Sequence, residues 1–163
     1  MTKRSKHKPA ARTRTTLLDE LAASPTEPLP KEKRDYQLGL IASGIEAMRV
    51  SESPGTQAWE VVADLTNLLE MLVEMGLVTD DGGWIAEAAY EMALAAKRRH
   101  QGMALRLTGR GLTAVSNAFE GYEMAMKNLP ARTMVRAVRR TEVRVREIRC
   151  GKRRSHDVEV VSL

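Results

Sequence analysis

The chain has 163 residues, 43% of them hydrophobic and 29% charged, with a formal charge of +5. That length suits one domain with a real core and is too short for two comfortable ones. A single cysteine excludes an internal disulfide and a Cys-rich zinc site, and no run approaches the roughly 20 apolar residues of a membrane span.

Aromatic residues make up only 4%, with Phe119 the sole Phe, so the core must be aliphatic. Leu, Val, Ile, Met and Ala suit closely packed helices better than a β-sandwich. The expected fold is all-α, a single-domain bundle of about five helices over residues 31–151. A disordered basic arm and Pro-rich linker would precede it over residues 1–30, and a short tail would follow over residues 152–163. The charge is unevenly spread: net +3 over residues 1–30, −4 over 31–130, +8 over 131–154 and −2 over 155–163.

The arm KRSKHKPAARTRTT is charged and nearly free of large apolar groups, which predicts disorder. It lacks the apolar region of about 7–15 residues that marks a secretory signal, so a cytoplasmic location is expected. LLDELAA allows one short helical turn or docking motif, and SPTEPLP reads as a linker. The first long helix is predicted over residues 31–50. Its apolar face is read from Tyr36, Leu40, Ile41, Ile45 and Met48, and Gly44 weakens it by roughly 1 kcal/mol. SESPGT ends it.

TQAWEVVADLTNLLEMLVEMG gives the clearest periodicity. Val61, Leu65, Leu68, Leu72 and Met75 form one stripe, widened by Val62, Leu69 and Val73, as a central helix requires. Glu60, Asp64, Asn67 and Glu74 form the opposite stripe, read as solvated. Gly76 fits a left-handed stop. WIAEAAYEMALAAKRRHQ follows, with Ile85, Ala89, Met92 and Ala96 inward and Lys97, Arg98, Arg99 and His100 in its last turns. GMALRLTGRG is open between a helix extension, a turn and a short strand. Thr108 is a suitable N-cap for the next helix, whose Leu112, Val115, Phe119, Tyr122, Met126 and Leu129 alternate steps of three and four. The apolar seams of this helix and of the central one make a homodimer credible. Pro130 suits position N1 of a last helix running to about Cys150, where Gly151 stops it. DVEVVSL in the tail alternates enough for one short strand.

The last helix carries the functional signal. RTMVRAVRRTEVRVREIRCGKRR, residues 132–154, holds ten Lys or Arg against two Glu. Met134, Val138, Thr141, Val145 and Ile148 form an apolar seam bordered by Val135. Arg132, Arg136, Arg139, Arg140, Arg144, Arg146 and Arg149 crowd the helix, and Lys152, Arg153 and Arg154 continue beyond it. Guanidinium groups favour bidentate contact with phosphate or carboxylate. The expected partner is nucleic acid, DNA or RNA, gripped mainly by its phosphates, with Lys97, Arg98, Arg99 and the arm assisting. KNLPART has the tightness of a helix-turn-helix turn, which would aim Arg132, Thr133 and Arg136 at base edges. The alternative is an interaction or inhibitor module, of the kind phages or plasmids encode, whose charged faces bind an acidic protein partner. Membrane-surface binding is disfavoured, because the seam is Val-rich and lacks Trp and Phe.

Catalysis has no candidate. His7, His100 and His156 are far apart, and no Glu-x-x-His pair is present for a metal site in a bundle. LRLTGRG lacks the spacing of a phosphate loop. Glu60, Asp64 and Glu74 read as a solvated face, and Cys150 as an idle thiol. The six methionines Met71, Met75, Met92, Met103, Met124 and Met126 read as core filler or an adaptable surface. Trp59 and Trp84 read as packing anchors. The sequence therefore predicts no enzyme, cofactor or metal.

Overall fold

The computed structural model describes residues 14–52 and 54–151. Six helices succeed one another: α1 Leu17–Ala22, α2 Lys31–Val50, α3 Thr56–Glu74, α4 Trp84–His100, α5 Gly109–Asn128 and α6 Ala131–Arg149. The fold is all-α, with no strand among the described residues. The arm's first thirteen residues and the tail from residue 152 lie outside the described residues, and with them the strand expected at DVEVVSL.

The helix beyond the expected five is α1. Thr16 closes it with a capping box: the Asp19 N–H donates to the Thr16 hydroxyl at 3.2 Å, and the Thr16 N–H donates to the Asp19 carboxylate at 2.7 Å. LLDELA is thus the short helix and docking motif that the sequence allowed, and the linker after it reaches the start of α6 through the Ser24 and Glu27 carbonyls.

α3 is the hub, touching α2, α4, α5 and α6. Val62, Leu65, Leu68, Leu69 and Leu72 are all buried, as the wide apolar stripe predicts. Each fully buried Leu or Met contributes about 1.5–3 kcal/mol. Gly76 takes the predicted left-handed conformation at φ 69°, and the Leu77 N–H reaches back to the Leu72 carbonyl at 2.9 Å.

α2 packs through Ile41 and Met48, with Ile45 beside them, as its periodicity suggests, but the face is narrower than expected. Tyr36 and Leu40 are exposed, while Ile41, Gly44 and Met48 are buried. Gly44 sets the rotation. A Cβ there would lie 3.1 Å from the Ala58 carbonyl oxygen and 3.3 Å from the Val62 side chain, so α2 meets α3 where it carries no side chain. The glycine that costs helix propensity supplies the close approach.

α4 and α5 pack on each other and both are rich in buried alanine, Ala88, Ala95 and Ala96 on the first and Ala114, Ala118 and Ala125 on the second. At Gly121 the half-buried Trp84 ring occupies the space of a side chain, so a methyl group there would collide with the indole. Trp59 anchors α3 to α4 by donating its indole N–H to the Met92 carbonyl at 3.1 Å. Met71, Met92 and Met126 fill the core, whereas Met103 and Met124 are exposed.

Within GMALRLTGRG, residues 102–108 are an irregular connection, neither extension of α4 nor strand, and Gly109–Gly111 open α5. Leu105 and Leu107 are buried, and the Leu107 N–H meets the Met48 carbonyl at 3.4 Å, which ties the connection to the end of α2. Thr108 is the N-cap of α5, accepting from the Gly111 N–H at 3.0 Å. The Thr108 hydroxyl donates in turn to the buried Glu91 carboxylate at 3.2 Å. Pro130 is the N-cap of α6 rather than its first residue.

Of the seams that made a homodimer credible, Leu65, Leu68 and Leu72 on α3 and Val115, Tyr122 and Met126 on α5 are buried in the chain's own core. No helix among the described residues is long and apolar enough to cross a membrane.

Candidate nucleic-acid interface

α6 lies between α3 on its inner side and α1 on its outer side. Its buried residues are Ala131, Met134, Ala137, Thr141 and Arg144. The expected seam is therefore turned: Met134 and Thr141 stay inward, Val138, Val145 and Ile148 are only half-buried, and Arg144 takes an inward position.

Arg144 is 6% exposed. Its guanidinium donates to Glu74, to the Glu70 carboxylate at 3.3 Å and to the Asn67 carbonyl at 3.3 Å. Its Nε–H has no partner. Arg144 is consequently a packing residue between α6 and α3 and is not accessible to a ligand. The same contacts correct the reading of the polar stripe on α3: Asn67 is buried and Glu74 is paired, because α6 crosses there. In a sequence, a polar stripe met by a buried guanidinium looks the same as one met by water.

Burial pushes the Glu70 carboxyl up to about 7; Arg144 opposes this, while Glu74 and Asp80 add to it. The folded state therefore holds this proton more tightly than the unfolded chain. The resulting stabilisation is complete below the unfolded value of about 4.5 and vanishes as pH rises through about 7. Raising pH from about 5 to 8 is expected to remove roughly 2–3 kcal/mol of stability through this group. Urea denaturation at the two pH values checks this, and Glu70→Gln is expected to remove that part of the difference.

The outer side of α6 faces residues 15–27. Arg136 and Arg139 each donate through Nε to one oxygen of Glu20, at 2.7 and 2.9 Å. Glu20 is buried at 4% exposure, and its bond to Arg136, joined by Arg139, holds its carboxyl below the usual range against the desolvation. Arg132 donates to the Ala23 and Leu21 carbonyls at 3.1 and 3.0 Å. Thr15 donates its N–H and hydroxyl to the Glu142 carboxylate at 3.0 and 3.1 Å. The Glu27 and Ser24 carbonyls accept from the Ala131 and Arg132 N–H groups, which would otherwise be unsatisfied at the helix start. The end of α6 that a helix-turn-helix would present to bases, with Arg132, Thr133 and Arg136, is thus engaged by residues 20–27.

Three arginines of α6 remain. Arg140, Arg146 and Arg149 point outward with no ion pair among the described residues. Arg132, Arg139 and Arg146 recur every seven residues and so share one stripe, of which α1 covers the first two and leaves the third bare. Lys152, Arg153 and Arg154 lie outside the described residues.

Lys97, Arg98 and Arg99 lie on α4, which is not among the helices packed on α6. Asp80, whose charge reaches Glu70 beside Arg144, also accepts from the Ile85 N–H at 3.0 Å in the first turn of α4. Arg98 is about 20 Å further along that helix at 1.5 Å per residue. There it donates to the Arg106 carbonyl at 3.0 Å, and Arg106 donates to the Arg49 carbonyl at 3.3 Å, so Arg98, Arg106 and Arg49 form a basic cluster of their own. Among the described residues no group of His, Cys, Asp and Glu is arranged to hold a metal ion. Glu20 and Glu91, two buried carboxylates, escape sequence reasoning because neither sits in a pattern that marks burial.

Comparison with known protein families, curated proteins and solved structures finds no match for this chain.

Proposed function

We propose that this protein is a non-enzymatic nucleic-acid-binding or regulatory accessory protein that grips phosphates with the arginines of α6. The observation that supports the reading most is the outward set Arg140, Arg146 and Arg149, without carboxylate partners among the described residues on a helix whose other four arginines all have acceptors. Seven arginines on a helix of nineteen residues exceed what packing uses. Clustered, unpaired guanidiniums attract polyanions and release counterions on binding. A cytoplasmic location goes with this reading.

The test is fluorescence anisotropy with labelled duplex DNA, single-stranded DNA and RNA across about 50–300 mM salt. Micromolar or tighter binding with a steep negative log–log salt slope is the expected result, and the preferred strand identifies the substrate. No binding at the lowest salt rejects the proposal. The arginines would then belong to the second reading, contact with an acidic protein surface, which the carboxylate pairs of Arg136, Arg139 and Arg144 already illustrate within the chain.

A further inference from the structure

α1 is attached to α6 in an unusual way for a small helix. Amphipathic helices ordinarily dock by burying leucines. Here Leu17, Leu18 and Leu21 are exposed, Leu18 at 77%, and the buried residue is Glu20. The side-chain bonds across this junction are polar: one carboxylate shared by two guanidiniums, two peptide carbonyls on a third, and Thr15 on Glu142. Removing such contacts returns polar groups to water, and the three leucines of α1 are already exposed, so release costs less than stripping a helix from a core. The linker that follows carries Pro25, Pro28 and Pro30, which lets α1 leave without unwinding α2.

The acceptors that α1 presents resemble those of a ligand. The Glu20 oxygens and the Leu21 and Ala23 carbonyls sit on Arg132, Arg136 and Arg139, along the outer face of α6, where phosphate oxygens would be gripped. Arg146, next on the stripe, is bare. We infer that α1 is an internal competitor: it occupies Arg132, Arg136 and Arg139 in the free protein, and a polyanion that first engages Arg140, Arg146 and Arg149 displaces it to gain the other three arginines. This inference rests on the phosphate-binding reading and assigns that site its regulation.

The full chain and its Glu20→Ala variant are compared for anisotropy with duplex DNA, with Glu32→Ala as the control for charge, since Glu32 is exposed and lies on α2. The expected result is at least about threefold tighter binding for Glu20→Ala than for Glu32→Ala, because Arg136 and Arg139 lose the carboxylate that holds them and α1 is left tied to α6 through Arg132 and Thr15. Hydrogen exchange of the wild-type amides in residues 19–23 gives a second readout that does not depend on any variant folding: DNA is expected to accelerate their exchange while α3 stays protected. Equal affinities for the two variants, with α1 amides unaffected by DNA, would overturn the inference and leave the phosphate-binding reading standing. Absence of binding by wild type and both variants rejects the phosphate-binding reading, and the inference with it. Binding by Glu20→Ala alone supports both.

Discussion

Replacing Arg144 by Ala is expected to lower the free energy of unfolding by about 3–5 kcal/mol, the usual cost of breaking a buried ion pair from one side. The cost comes from what stays behind. Glu70 remains desolvated beside Glu74 and Asp80 with no cation, and the Asn67 carbonyl loses a donor. Urea denaturation at about pH 8, where the Glu70 carboxylate of the wild type is ionised, measures the loss. Glu70→Leu combined with Arg144→Met is expected to recover most of it, since an apolar pair of similar volume carries no desolvation penalty. Arg140→Ala, on the exposed side of the same helix, is expected to change stability by no more than about 0.5 kcal/mol. If Arg144→Ala cost less than that while weakening DNA binding, Arg144 would be a ligand contact and its assignment to packing would be wrong.

The triple variant Arg140→Ala, Arg146→Ala and Arg149→Ala should behave in the opposite way. Each lost phosphate contact lowers the log–log salt slope by about 0.9, so three lower it by about 2.7. At about 0.1 M salt the same relation gives a loss of roughly 100- to 1000-fold in affinity. Melting should change little, because the three side chains have no carboxylate partners among the described residues. An unchanged salt slope would move the phosphate contacts away from this face. The basic cluster of Arg49, Arg98 and Arg106 would then be the next surface to vary.

These two variants differ although all four residues are arginines on one helix, and the sequence does not separate them. Arg144 follows Thr141 by three positions and Met134 by ten, which places it on the inner face. A reading that sorts α6 by hydrophobicity puts every arginine outside and draws the seam through Val138 and Val145. The inner face instead passes through Ala137 and Arg144, because Asn67, Glu70 and Glu74 on α3 provide acceptors for one guanidinium. On α2 the expected face is confirmed at Ile41 and Met48 but not at Tyr36 and Leu40. Tyr36 and Leu40 carry more apolar surface than Gly44, yet the glycine faces inward, because its missing side chain allows the closest approach to Ala58 and Val62.

The sequence by itself determined the all-α class, the ends of the long helices to within a residue or two, the central position of α3, and the concentration of arginine on the last helix. These properties are local. Periodicity, capping residues and composition act over a few neighbouring positions, and they are readable without knowing what the helix packs against. Only the tertiary structure decided which arginines are free. Arg132, Arg136 and Arg139 are engaged by a six-residue helix more than one hundred positions away in the chain, and Arg144 by a stripe some seventy positions away. A charge acquires its role from the groups folding brings within about 3 Å of it, and no local pattern encodes that distance.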